Sequence, residues 1–106
     1  MKFEFNLKDN LEKIQKSNSY FHTFINKDNL AAGVLILKPG EEDTQEPHEN
    51  DEVYFVLSGN GCLKIKNKNY TVSKDKLFFV AKGTSHFFHS NTDDLKVLYF
   101  FGGSDS

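Results

Sequence analysis

Apolar residues along the chain fall into short runs that are separated by turn-forming residues. Residues 19–25 and 30–37 are two such runs, and the tetrapeptide N-K-D-N between them is typical of a hairpin turn. Further runs follow at 53–57, 63–65, 70–72, 77–80, 86–89 and 95–101. Short runs at this spacing, with little helical periodicity, predict an all-β sandwich or barrel.

The N-terminal residues show a different pattern. Phe3, Phe5 and Leu7 alternate with polar residues, which predicts a short first strand. Asp9 or Asn10 is then suited to cap a helical turn.

Several of the predicted strands are apolar on both faces. In the last strand Val97, Tyr99 and Phe101 point to one side, whereas Leu98 and Phe100 point to the other. A lone barrel buries one face of each strand, so the second face requires a cover. We therefore predict a homodimer with a symmetric contact, to which the N-terminal strand contributes as an arm.

Composition narrows the class of protein further. The 106 residues are enough for one domain with a single core, and 11 Phe and 4 Tyr supply much of its burial area. A net charge of -2 gives no general attraction to nucleic acid or to an anionic membrane. All 13 basic residues are lysines, so no guanidinium is available to bind carboxylate or phosphate in two places. We predict a cytoplasmic protein that acts on a small molecule and has no nucleic-acid or membrane partner.

Four side chains with metal-ligand chemistry are the candidates for a site: Glu46, His48, Glu52 and His86. Glu46 and His48 share a face if their segment is extended, and Pro47 between them favours extended backbone at the preceding residue. Two imidazoles and one or two carboxylates that converge from neighbouring strands would bind a first-row transition metal.

Around these residues the chain resembles the cupin superfamily. Gly40, His48, Glu52 and Gly59 have the spacing of the first cupin motif, with Glu46 in the place of its first histidine. In the register of the second motif, only Gly83 and His86 retain the motif's residues.

The resemblance implies a double-stranded β-helix, a jelly-roll-like barrel, in a single domain over residues 1–106. Its core would span about 34–101, and residues 1–30 would form N-terminal strands and a short helical turn that serve as a possible dimer arm. It also implies one divalent metal bound by His48, Glu52 and His86. Glu46 would be either a fourth ligand or a group that orients His48 or a bound water.

By the same resemblance, the leading function is an oxygenase-like enzyme that acts on a small organic molecule. Iron would be the favoured metal, with manganese, zinc or nickel as alternatives. Tyr54 or Glu46 would relay a proton. Two other functions stay open: a non-redox lyase or isomerase in which the metal is a Lewis acid, and a module that binds metal or ligand without turnover.

Overall fold

The computed structural model describes residues 2–104 of the chain. Its elements are α1 (Leu7–Gln15), β1 (Phe21–Lys27), β2 (Leu30–Leu37), β3 (Glu52–Ser58), β4 (Asn60–Ile65), β5 (Lys68–Ser73), β6 (Leu77–Val80), β7 (His86–His89) and β8 (Leu95–Phe101). Within residues 2–104, no helix has the length and apolar character of a membrane span.

The strands form two antiparallel sheets. One has the order β1-β2-β8-β3-β6 and the other the order β5-β4-β7. β1 and β2 pair from Lys27 opposite Leu30 onward, which confirms the predicted hairpin. The predicted strands at 77–80, 86–89 and 95–101 are confirmed within their bounds, and the two-sheet arrangement confirms the predicted all-β fold.

The main core draws on both sheets. Along β3 and β8 buried residues alternate with partly exposed ones, as expected where one face of a strand is covered. The core residues below 2% exposure include Tyr54, Val56, Leu63, Phe88 and Val97. Tyr54, Val56 and Phe88 therefore pack inside the barrel.

The predicted first strand at Phe3, Phe5 and Leu7 is wrong. Residues 2–6 form no strand, and Leu7 instead begins α1, because the Asn6 side chain caps the helix by accepting from the backbone NH of Asp9 at 3.2 Å. The predicted caps Asp9 and Asn10 lie within the helix.

Helix α1 covers part of the outer face of the larger sheet. Ile14 packs against Val34 and Ile36 in a second apolar cluster, which Leu11 and Phe24 extend. Some of the second apolar face is thus covered from within the chain, by an element longer than the predicted helical turn.

The remainder of that outer face is only partly covered by residues 2–104, and of its apolar side chains Leu98 packs against the helix cluster. Across β8, β3 and β6 its apolar side chains lie opposite one another in two rows: Phe100, Val53 and Phe79, then Leu98, Phe55 and Leu77. Phe79 is 61% exposed and Leu77 is 65% exposed. This six-residue face is called the aromatic face below.

Candidate metal centre

Three of the four predicted ligands come together between the two sheets. Glu52 is the first residue of β3 in the larger sheet, and His86 is the first residue of β7 in the smaller one. His48 lies in the irregular segment between β2 and β3, and its carbonyl accepts from the backbone NH of Gly83 at 2.8 Å. Each residue offers one ligand atom, and these atoms all lie within 4.8 Å of one another.

Glu52 is the centre of the group. Its Oε1 lies 3.3 Å from His86 Nε2 and 3.8 Å from His48 Nε2. The side chains of Glu52 and His86 are each 1% exposed, whereas that of His48 is 16% exposed. The site is therefore closed on the side of the core and accessible beside His48.

A metal ion fits this donor set. Glu52 Oε1 is buried and has no hydrogen-bond partner among the described residues. A buried carboxylate oxygen without a donor is costly, so a carboxylate kept in this position implies a cation there. Two imidazole nitrogens and one carboxylate oxygen are ligands suited to a first-row divalent metal.

His86 is oriented with Nε2 towards the site. Its Nδ1 donates to the carbonyl of Thr84 at 2.8 Å, which leaves the Nε2 lone pair of the neutral ring facing Glu52. Burial by itself would lower the pKa of His86, but the Glu52 carboxylate and the Thr84 carbonyl next to its ring raise that pKa above its usual value. The Glu52 carboxylate thus attracts positive charge, whether a proton or a metal ion.

Glu46 lies outside the group of three. It is exposed and lines the mouth of the adjoining cavity. The prediction that it shares a face with His48 assumed a strand, but this segment is irregular. Gln45 takes the inner position, with its Oε1 3.1 Å from His48 Nε2.

Asp43 fixes the direction of the Gln45 amide. Gln45 Nε2 donates to Asp43 Oδ2 at 2.8 Å, and since a carboxylate only accepts, the amide oxygen must face His48. The backbone NH of Phe88 donates to the same carboxylate at 2.9 Å, and the Tyr20 hydroxyl donates to its other oxygen at 2.9 Å. Sequence analysis missed both Asp43 and Gln45, because nothing distinguishes them from their polar neighbours in this loop.

Tyr54 lies beneath the ligands. Its hydroxyl donates to Gln45 Oε1 at 2.9 Å and lies 3.1 Å from His86 Nε2. Burial, followed by the charges of Glu52 and Asp43, raises the pKa of Tyr54 well above its usual value. Tyr54 therefore holds its proton at neutral pH.

A cavity of about 270 Å³ opens beside the three ligands. His48 and Glu52 lie in its wall, together with residues from β1, β2 and β8. A small molecule in this cavity would contact the metal centre on one side and apolar side chains on the other.

His89, the other histidine of β7, takes no part in the site. Its ring nitrogens lie 2.7 Å from Ser90 Oγ and 2.7 Å from Asn69 Oδ1. The opposite orientations of His86 and His89 follow from their odd separation along one strand.

Comparison with known proteins gives one family. A family model described as Cupin domain matches residues 33–101. A protein of Streptomyces coelicolor, named only as uncharacterized protein SCO3923, is 33% identical over 99 residues, which cover 92% of this chain and 94% of that protein.

Solved structures of low sequence identity share the fold. KdgF from a Halomonas species has a TM-score of 0.71 at 19% identity, with 80% of each chain covered. The DMSP lyase DddQ from Ruegeria pomeroyi has a TM-score of 0.72 at 20% identity, with 78% of this chain and 46% of DddQ covered.

Proposed function

The chain belongs to the cupin domain family, and we propose that it is a mononuclear metal-dependent enzyme, oxygenase-like, that acts on a small organic molecule. The observation that carries the proposal is the buried, unpartnered Glu52 Oε1 between two imidazole nitrogens. Two histidines and one carboxylate are the ligand set of many non-haem iron oxygenases, in which other coordination positions stay open.

His48, Glu52 and His86 would hold the metal, and the amide oxygen of Gln45 lies beside them as a further oxygen donor. Iron is the favoured ion, while manganese, zinc and nickel also suit these donors. When bound, the ion supplies Lewis acidity and, in the case of iron, redox chemistry with O2.

The chain's own residues would bind the substrate and handle its protons. The cavity positions the substrate next to His48 and Glu52. Glu46 at the mouth has a carboxylate that can accept a proton from it. Tyr54 keeps its hydroxyl proton at neutral pH and uses it to hold the Gln45 amide oxygen beside the ligands rather than acting as a base.

A non-redox lyase or isomerase is the second candidate. An exposed carboxylate beside a Lewis-acid site is also what proton abstraction requires, and Glu46 meets this description. One protein with this fold, DddQ, is named as a lyase. A module that binds metal or ligand without turnover is the third candidate. For all three candidates we infer a cytoplasmic location from the composition.

Metal analysis comes first in the test. Purified protein should contain about one first-row metal per chain, and His86→Ala should abolish this content. His89→Ala is the matched control, since it removes a histidine of the same strand that lies outside the group. Full occupancy in His86→Ala would refute the site.

Turnover then separates the functions. Iron-loaded protein should convert components of a metabolite mixture in air but not under anaerobic conditions. Equal conversion without O2, or with zinc or manganese, would instead establish the lyase or isomerase. A loaded protein that binds components of the mixture but converts none would be a binding module.

A further inference from the structure

Four aromatic rings form much of the wall of the cavity beside the metal centre: Tyr20, Phe21, Tyr99 and Phe101. The volume of about 270 Å³ corresponds to about nine water molecules at ~30 Å³ each. This is space for a single substituted ring or a molecule of similar size. Flat aromatic walls favour such a ligand over a strongly hydrated one.

The two tyrosines present ring surface rather than free hydroxyls. The Tyr20 hydroxyl donates to Asp43 Oδ1 at 2.9 Å, and the Tyr99 hydroxyl lies 2.7 Å from Thr23 Oγ1. Because both polar ends have protein partners, these side chains contribute chiefly apolar surface to the cavity.

The charged groups of the wall are unbalanced. Glu46 and Glu52 both line the cavity, whereas no lysine from residues 2–104 does so, and the chain contains no arginine. A bound divalent metal would offset the charge of Glu52. Glu46 would remain as an unpaired negative charge at the mouth.

We propose that the cavity selects ring-sized apolar molecules that bind the metal through one oxygen group and carry no second anionic group. This rests on the metal site proposed above. A carboxylate or phosphate at the far end of the ligand would lose its hydration without meeting a cation and would be repelled by Glu46. An uncharged group in the same position is not repelled, and an ammonium group is attracted by Glu46, which offsets its loss of hydration.

Three para-substituted benzoates test the inference in zinc-loaded protein, which excludes redox chemistry. 4-Methylbenzoate, terephthalate and 4-(aminomethyl)benzoate share one carboxylate for the metal and differ in the charge of the other end. Calorimetry at pH 7.5 should show terephthalate binding at least about fivefold more weakly than the other two. This is expected although terephthalate has two equivalent carboxylates to offer.

Two charge-reversal variants test whether the weaker binding of terephthalate is due to Glu46. Glu46→Lys should reduce or invert the difference in affinity between terephthalate and the other two benzoates, because an ammonium group would then face the far end of the ligand. Glu49→Lys is the matched control, since Glu49 is an exposed acid of the same loop that does not line the cavity. Its preference should equal that of the unmodified protein.

The outcomes distinguish the two proposals. Protein that takes up no zinc would refute the metal centre and this inference together. Protein that takes up zinc but binds terephthalate as tightly as 4-(aminomethyl)benzoate would overturn the inference alone. Equal effects of Glu46→Lys and Glu49→Lys would also overturn it.

Discussion

Replacing Glu52 by glutamine should separate what this carboxylate does for the fold from what it does for the metal. Its side chain is 1% exposed, and Oε1 has no hydrogen-bond partner among the described residues. Glutamine has nearly the same shape but no charge. Its amide can donate to the lone pair of His86 Nε2, which lies 3.3 Å from the present Oε1.

The expected change in the free energy of unfolding on Glu52→Gln has opposite signs in the metal-free and the metal-loaded protein. An unsatisfied buried polar group costs about 1–3 kcal/mol, so metal-free Glu52→Gln should be more stable than the unmodified protein by an amount in this range. The substitution removes the carboxylate that most raises the pKa of His86, and burial then favours the neutral ring, so no unpaired charge is left behind. With metal at a thousandfold excess over its Kd, only the unmodified protein gains about 4 kcal/mol.

Denaturant unfolding at pH 8, with chelator and then with added metal, measures both effects. A change of 1 kcal/mol corresponds to about 4 °C or more in melting temperature for a domain of this size, so thermal unfolding would resolve it too. Glu49→Gln is the control for loss of an exposed acid in the same region.

One result would refute the reasoning. If Glu52→Gln lowers the stability of the metal-free protein by more than about 1 kcal/mol, Glu52 forms a net favourable ion pair with His86. The unpartnered oxygen would then no longer argue for a metal.

Three further predictions concern the surroundings of the site. Asp43→Asn should cost about 2 kcal/mol in chemical unfolding and weaken metal binding, because an amide cannot accept all the bonds that orient Gln45; unchanged affinity would contradict this role. Gly33→Ala places a Cβ against Tyr99, so it should cost about 1–3 kcal/mol and reduce ligand binding in the cavity, as calorimetry would show. Phe79→Glu on the aromatic face should convert a homodimer of about twice 12.1 kDa into monomer in light scattering; a monomeric unmodified protein would refute the dimer.

The strands were predictable because their signal is local. A short apolar run bounded by turn residues can bury its side chains in few ways, so the bounds of β6, β7 and β8 follow from the sequence. The N-terminal segment was not predictable in this way. Phe3 and Phe5 alternate like a strand, but Asn6 caps a helix directly after them, and the Phe5 ring packs at a tilt against that of Phe24 with centroids 5.3 Å apart.

In the candidate site, too, the residues on strands were predictable and those in irregular chain were not. Glu52 and His86 each begin a strand, so the spacing of the family motifs is enough to bring them together. Glu46 and Gln45 lie in irregular chain, where alternation of side chains does not hold. Which of the two reaches inward depends on the contact between Gln45 and Asp43, 2.8 Å long, that no pattern in the sequence reveals.

The irregular segment before β3 links the metal centre to the closure of the barrel. Asp43 accepts from the backbone of β7 in the smaller sheet and also orients Gln45 beside His48, while Glu52 and His86 are fixed by strands. Changes at Gln45 or Glu46, which form no hydrogen bond with the backbone of either sheet within residues 2–104, can therefore alter the groups around the candidate metal centre while the two sheets stay as they are. Family membership therefore shows the fold, and the structure adds His48, Glu52 and His86 as a candidate metal centre. The reaction depends on residues of the loop and cavity, which the family motifs do not specify.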